Sequence, residues 1–294
     1  MLLARCLKLS SEATLPMKIV QISDTHLSPS KTHFNDNWEP VARWIETVGA
    51  DLVVHTGDLT IDGADQEDDI AFSVELIRRL PVPVLIVPGN HDVGHLPGSD
   101  QPVDAERLAR WRKLVGPDYW ASDHGKWRLI GLNSLLLGLD DAEEEKQLQW
   151  LEQALAERSG RRVAIFAHKP LFVDDPAEGD TGYWSVRPRQ RQRLCELMAR
   201  NDVALHASGH LHWAWRGHHA GTDLLWAPPT SFIIDTLERE MPGERVVGGV
   251  LHHFNDGHIE SEIVVVPGLK PYVIDHVIHE VYPRHAKKLA EAAQ

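Results

Sequence analysis

Short apolar runs in this chain end, one after another, on side chains of the metal-binding kind, and that repeated placement constrains the fold more than any other feature. The motifs are Asp24-Thr25-His26, Gly57-Asp58, Gly89-Asn90-His91-Asp92, an isolated His168 in Ala167-His168-Lys169-Pro170, and Gly209-His210-Leu211-His212. Four of the five follow a β-branched or aliphatic run, Val84 to Val87 among them. Successive side chains on a strand alternate faces, so residues at i and i+2 point to one side. Asp24 with His26, and His210 with His212, therefore read as chelating pairs on strands. Carboxylate oxygen, amide oxygen and imidazole nitrogen without thiolate suit two divalent ions of the manganese, iron, cobalt or zinc kind. Each motif alone more often caps a strand or makes a tight turn than holds an ion. Their order and their shared position after an apolar run carry the metal reading.

Periodicity places strands near residues 18–23, 51–56, 83–87, 127–132, 162–167 and 203–208, alternating with amphipathic helices over 38–48, 65–80, 104–114, 143–158 and 189–200. After Gly209 the pattern changes to short strands with Gly, Asn-Asp-Gly and Pro turns, over 222–227, 245–254 and 258–265. The chain divides into an N-terminal extension (1–16), a main domain (17–265) and a C-terminal extension (266–294) with a short helix from Pro283 onward. Met17 stands as an alternative start, because a strand opens directly after it.

Composition narrows the function. A net charge of -13 argues against a nucleic-acid surface, which relies on clustered Lys and Arg. With 43% apolar residues and 10 Trp the chain has ample material for a core. Cys6 and Cys195 build no disulfide framework, which fits a reducing compartment and a cytoplasmic enzyme. No apolar run reaches the roughly 18 residues a membrane span needs, and Arg5 and Lys8 interrupt the short apolar start in a way that makes a poor secretory leader. The basic run Arg187-Pro188-Arg189-Gln190-Arg191-Gln192-Arg193 opens a helix with Pro188 in its first turn. It reads first as a solvated helix face, with phosphate binding or a homo-oligomer contact as the alternative.

Taken in order, the series Asp24-x-His26, Gly57-Asp58, Gly89-Asn90-His91-Asp92, His168 and Gly209-His210-x-His212 resembles the calcineurin-like metallophosphoesterase superfamily over roughly residues 18 to 227. Within it, Ile22-Ser23-Asp24-Thr25-His26-Leu27 and His55-Thr56-Gly57-Asp58-Leu59-Thr60 look most like class III cyclic nucleotide phosphodiesterases and related glycerophosphodiesterases. The resemblance implies an α/β fold: a four-layer α-β-β-α sandwich of two central mixed sheets flanked by helices. It also implies a first metal held by Asp24, His26, Asp58 and His212, and a second held by Asp58, Asn90, His168 and His210, with Asp58 bridging. His91 would protonate or hydrogen-bond the leaving oxygen, and Asp92 would orient its ring. Departures narrow the choice among neighbouring branches: Ile61 stands where purple acid phosphatases carry a tyrosine ligand, and Ile61-Asp62 and Asp92 depart from the protein serine/threonine phosphatase pattern. The pyrophosphatases of lipid A synthesis have arginine at the place of His91.

The activity so implied is hydrolysis of small phosphodiesters by attack of a metal-bridging hydroxide, 3',5'-cyclic nucleotides such as cAMP first. The alternatives are glycerophosphodiester or broad phosphodiester and phosphomonoester hydrolysis and, more remotely, a non-catalytic scaffold of the same fold. Two ions roughly 3.5 to 4 Å apart activate water and stabilise the in-line transition state. Two dications less the charges of Asp24, Asp58 and one hydroxide leave a local charge of about +1, enough to recruit a phosphodiester to an acidic protein. Candidate pocket residues are His33, Asp62, His95, Trp184 and Trp213, with Gly182-Tyr183-Trp184 offering a stacking face.

Overall fold

A computed structural model describes residues 16–235 and 239–283. Cys6, nearly all of the expected N-terminal extension and the expected helix beyond Pro283 lie outside the described residues. The strands, in chain order, are β1 (Met17–Ile22), β2 (Leu52–His55), β3 (Val84–Ile86), β4 (Trp120–His124), β5 (Trp127–Leu132), β6 (Arg162–Ala167), β7 (Val203–Ser208), β8 (Trp215–His219), β9 (Thr222–Trp226), β10 (Phe232–Ile233), β11 (Gly249–Phe254), β12 (Ile259–Val264) and β13 (Tyr272–Val273). The helices are α1 (Trp38–Val48), α2 (Glu67–Ile77), α3 (Asn90–Val93), α4 (Ala105–Leu114), α5 (Ala142–Ala156), α6 (Pro188–Arg200) and the single turn α7 (Ile278–Val281).

Two mixed sheets form the centre. One runs β12-β11-β1-β2-β3, with β1, β2 and β3 parallel; the other runs β4-β5-β6-β7-β9-β8, with β5, β6, β7 and β9 parallel. Strand alternation sorts β1 between two cores. Val20 and Ile22 pack under Val41, Trp44 and Ile45 of α1 and Ile70 and Val74 of α2, while Ile19 faces Leu129, Phe166 and Leu205 of the other sheet. On the far side, Leu148 and Leu151 of α5 and Leu194 and Leu197 of α6 cover Ile130, Val163 and Ile165. The result is the expected α-β-β-α sandwich. The residues 104–114 expected as a helix open on Asp104, whose side chain caps the Arg107 N–H; α1 closes on Gly49 in the left-handed region at φ 64.

One polar side chain crosses the middle layer. Gln21 is fully buried, donating to Thr56 Oγ1 at 3.1 Å and to the Ser208 carbonyl at 3.2 Å, with His252 Nε2 3.1 Å from its Oε1. It ties β1 to β7 directly behind the turns that follow both strands. Satisfied buried networks of this kind specify a unique alignment, because each orphaned partner costs on the order of 1–3 kcal/mol.

The arginines of the basic run face carboxylates. Arg187 approaches Asp180 at 3.6 Å, Arg189 pairs with Asp140, Arg193 reaches Glu145 and Glu152 at 3.1 Å each, and the buried Arg191 meets Glu178 at 3.3 Å. Glu178 also accepts from the Val173 and Asp174 N–H groups and from Ser185 Oγ, so this pair braces the 173–187 loop. Beyond β12 the chain folds back: Val266 joins the core under α1, and Ile274 and Val281 pack with Phe34, Ile61 and Phe232. No helix among the described residues is long and apolar enough to cross a membrane.

Candidate metal centre

The five motifs converge where the carboxyl ends of β1, β2 and β3 meet those of β6 and β7, the edge at which open α/β sheets place ligands. The chelating pairs do not ride on strands, as alternation suggested. β1 ends at Ile22 and β7 at Ser208, and Asp24, His26, His210 and His212 follow them in left-handed backbone at φ 52, 45, 72 and 57. Asp58 shares that conformation at φ 50. Asp and His tolerate this region better than most residues, yet it costs roughly 1–2 kcal/mol each, and such outliers gather at functional sites. Main-chain bonds hold the turns together: Asp24 N–H donates to Gly57 O at 3.0 Å, His26 N–H to Asp58 O at 3.1 Å, and Gly209 N–H to His168 O at 3.0 Å. Gly89 is required by contact, since a Cβ there would lie 2.1 Å from the Asp58 nitrogen.

The expected ligands come together as two overlapping groups. In one, His26 Nε2 and His212 Nε2 are 3.3 Å apart, His212 Nε2 is 3.4 Å from Asp24 Oδ1, and His26 Nε2 is 3.8 Å from Asp58 Oδ2. In the other, His168 Nε2 lies 3.2 Å from the same Asp58 Oδ2, 3.2 Å from Asn90 Oδ1 and 3.1 Å from His210 Nδ1. Metal–ligand bonds of about 2.1 Å give polyhedron edges of roughly 3.0 to 3.4 Å, so most of these spacings are those of donors around an ion. Asp24 Oδ1 is buried and accepts no hydrogen bond, although its partner Oδ2 takes the His210 N–H at 3.1 Å. A buried carboxylate oxygen left that way is costly unless a cation meets it. The residues present therefore fit a pair of divalent ions, with Asp58 Oδ2 facing His26 of one group and His168 of the other.

Tautomers agree. His168 Nδ1 donates to Thr56 O at 2.8 Å, His212 Nδ1 to Phe232 O at 2.7 Å, and His210 Nε2 to Tyr183 O at 2.9 Å, which in each turns the other ring nitrogen inward. Burial, with neighbouring imidazoles adding to it, holds His26 and His210 well below the ordinary histidine range, and burial brings His212 down to about 4. His168 behaves oppositely. Burial alone would lower it, but the charge and hydrogen bond of Asp58 hold it up at about 9. Asp58 gains in return: burial opposes its ionisation, but His168 keeps it well below the usual carboxylate range. Asp24 is pushed up to about 7, first by burial and then by the Asp58 charge, against the pull of His168.

His91 joins this centre, its ring edge-on to His26 at 4.9 Å. Asp92 does not orient that ring. Its carboxylate accepts from the Gly89, Leu59 and Thr60 N–H groups and from Thr60 Oγ1 at 2.7–3.1 Å, knitting the turn after β3 to the turn after β2. The carbonyl of Ile61 holds His91 Nδ1 instead, at 3.0 Å. Of the pocket candidates, His95 stacks on Tyr183 at 4.9 Å and lies 6.5 Å from His210. Asp62 accepts from Gln101, and His33 pairs with Glu280 at 3.0 Å. Trp184 and Trp213 turn into an apolar cluster with Leu211 and Trp226. The residue of Gly182-Tyr183-Trp184 that reaches the centre is Tyr183, whose hydroxyl accepts from Asn90 Nδ2 at 3.2 Å. Tyr282, absent from the expected site, brings its hydroxyl within 2.7 Å of His26 Nδ1. Its sequence surroundings carry no motif that could have marked it.

The chain is similar to known proteins in both sequence and fold. The calcineurin-like phosphoesterase family pattern matches residues 17–214. The chain is 30% identical over 209 residues to a probable glycerophosphodiester phosphodiesterase GpdQ of Arcobacter nitrofigilis, covering 67% of this chain and 72% of that protein. It is 27% identical to the human serine/threonine-protein phosphatase CPPED1 over 62% of this chain, spanning only 57% of that relative's length. It is also 27% identical to the 3',5'-cyclic adenosine monophosphate phosphodiesterase CpdA of Haemophilus influenzae, over 84% of this chain and 89% of that protein. Among solved structures, a purple acid phosphatase from yellow lupin seeds superposes with a TM-score of 0.65 at 16% identity, over 87% of this chain and 52% of that one, a likeness of fold.

Metal binding is expected to release protons, because His168 at about 9 and Asp24 at about 7 are protonated below those values and must lose the proton to serve as ligands. Affinity should therefore climb with pH through both values. Calorimetric metal titrations near pH 8 in buffers of different ionisation enthalpy should show about one proton leaving per chain. Heats and affinities that do not change with buffer or pH would show that binding displaces no proton from His168 or Asp24, against this expectation.

Proposed function

The chain belongs to the calcineurin-like phosphoesterase family of metal-dependent phosphoesterases, and on that footing we propose that it hydrolyses small phosphodiesters at a centre of two divalent ions. 3',5'-cyclic nucleotides such as cAMP are the first choice of substrate; manganese, iron, zinc and cobalt all suit the ligand set. The observation that carries the reading is the position of Asp58 Oδ2, 3.8 Å from His26 Nε2 in one ligand group and 3.2 Å from His168 Nε2 in the other. When bound, a pair of ions in these groups supplies Lewis acidity toward the phosphoryl oxygens and activates water for in-line attack.

This chain's own residues do the rest. Asp24, His26, Asp58 and His212 form one subsite; Asp58, Asn90, His168 and His210 form the other. The backbone bond from His91 N–H to Asp58 Oδ1, at 2.8 Å, fixes the shared carboxylate. With Nδ1 of His91 committed to the Ile61 carbonyl, Nε2 is the nitrogen left to meet the leaving oxygen, and acting as an acid requires the doubly protonated ring. Asp92 works through the backbone by keeping the two turns in register. The Tyr183 ring, 42% exposed at the rim, gives a nucleobase a face to stack on. Free Cys195 suits a reducing compartment such as the cytoplasm.

A glycerophosphodiester is the second reading, favoured by the likeness to the Arcobacter nitrofigilis protein at 30% identity. A panel of 3',5'-cAMP, 2',3'-cAMP, glycerophosphodiesters, a phosphopeptide and bis(p-nitrophenyl) phosphate on metal-reconstituted protein separates the two. Chelation should abolish every diester activity, and manganese, cobalt or iron should restore it; turnover that survives exhaustive metal removal contradicts the proposal.

His91 adds a sharper test. His91→Ala should keep both ions yet lose about 10² to 10⁴ in rate on poor alkoxide leaving groups. Nitrophenyl esters, whose leaving group needs little help from a proton, should lose far less. Equal losses on both, with metal content intact, would mean that His91 positions the phosphate instead of serving as the acid.

A further inference from the structure

Three of the four inward-facing histidines have their outer nitrogen held by a main-chain carbonyl, which can only accept and so leaves one tautomer. His26 is the exception. Its Nδ1 meets the hydroxyl of Tyr282 at 2.7 Å, a group that can either donate or accept. Tyr282 comes from the stretch beyond β13, 256 residues from His26 and outside the segment that the family pattern matches.

That stretch is held in place by contacts of its own. Lys31 Nζ donates to the Val281 carbonyl at 2.7 Å, and His33 Nε2 lies 3.0 Å from Glu280 Oε2. Val281 is buried, and Ile278 and Tyr282 pack with it against Phe34, Ile61 and Phe232. The Tyr282 ring stands 4.8 Å from that of His91 and 6.2 Å from that of His26.

We propose, on the two-ion reading above, that Tyr282 is a positioning residue of the first metal subsite: its hydroxyl accepts from His26 Nδ1–H and so presents His26 Nε2 as a lone pair beside Asp58 and His212. The ring of Tyr282 supplies packing, and only its oxygen supplies the hydrogen bond. Outer partners of this kind typically govern metal affinity by about 10- to 100-fold. The residues after β12 are then a working part of the centre.

Full-length wild type, Tyr282→Phe and Tyr282→Leu, first stripped of metal, are to be titrated with zinc, with histidine ring nitrogens followed by NMR in the zinc-loaded, diamagnetic protein. Tyr282→Phe keeps the ring and its packing, so without metal it should stay folded and melt only a few degrees below wild type, the effect of one lost hydrogen bond. It should bind one ion as before and the other about 10- to 100-fold more weakly, and the His26 Nδ1–H signal should lose its hydrogen-bonded shift. Wild-type affinity for both ions in Tyr282→Phe, or weakening confined to Tyr282→Leu, would reduce Tyr282 to a packing role and overturn the inference alone. A wild-type chain that takes up no zinc would overturn the two-ion reading and this inference with it.

Discussion

A single buried carboxylate sets the terms for the rest of the centre. Asp58 is 2% exposed, and an isolated charge so deep would cost several kcal/mol. It is ionised because the surroundings are arranged for it: His91 N–H donates to Oδ1, and His168, held protonated, faces Oδ2. Those partners come from the turns after β3 and β6, so both sheets must be correctly stacked before Asp58 is compensated. The Gln21 bridge from β1 to β7 fixes that stacking just behind the site. Gly89 lets the β3 turn come within reach, where any side chain would collide with Asp58. Packing and electrostatics thus reinforce one another.

The same arrangement explains how an acidic chain offers a place to an anionic substrate. The net charge is -13, and Arg189, Arg191 and Arg193 of α6 are spent on Asp140, Glu145, Glu152 and Glu178. At the centre the carboxylates are few and deep, and Asp24 Oδ1 is left facing inward with no donor. A pair of dications there would outweigh Asp24 and Asp58 locally. Recruitment of the proposed phosphodiester would then depend on the centre and not on the surface.

Much of this was legible in the sequence. The expected strands at 127–132, 162–167 and 203–208 coincide with β5, β6 and β7, because buried parallel strands are written as continuous apolar runs. The seven residues proposed as ligands stand out because each sits one to four residues past such a run, where the chain has to turn. The local geometry was not. Asp24 and His26 face one way through left-handed φ values that no periodicity encodes. Asp92 reads as a partner for His91 by adjacency, but three backbone N–H groups compete for it and win. Trp184 draws the eye as a stacking residue, yet its larger apolar surface favours the cluster with Leu211, leaving the rim to Tyr183. Tyr282 acts through a contact spanning almost the whole chain, and nothing local announces it.

The central claim is that Asp58 joins two ions. X-ray absorption fine structure on protein reconstituted with manganese or zinc measures this directly, through scattering from one metal to the other. The expected spectrum contains a metal–metal vector at roughly 3.5 to 4 Å, with nitrogen and oxygen neighbours, and Asp58→Ala should lose that vector. A wild-type spectrum of a single ion with no metal neighbour, at saturating metal, would contradict the account.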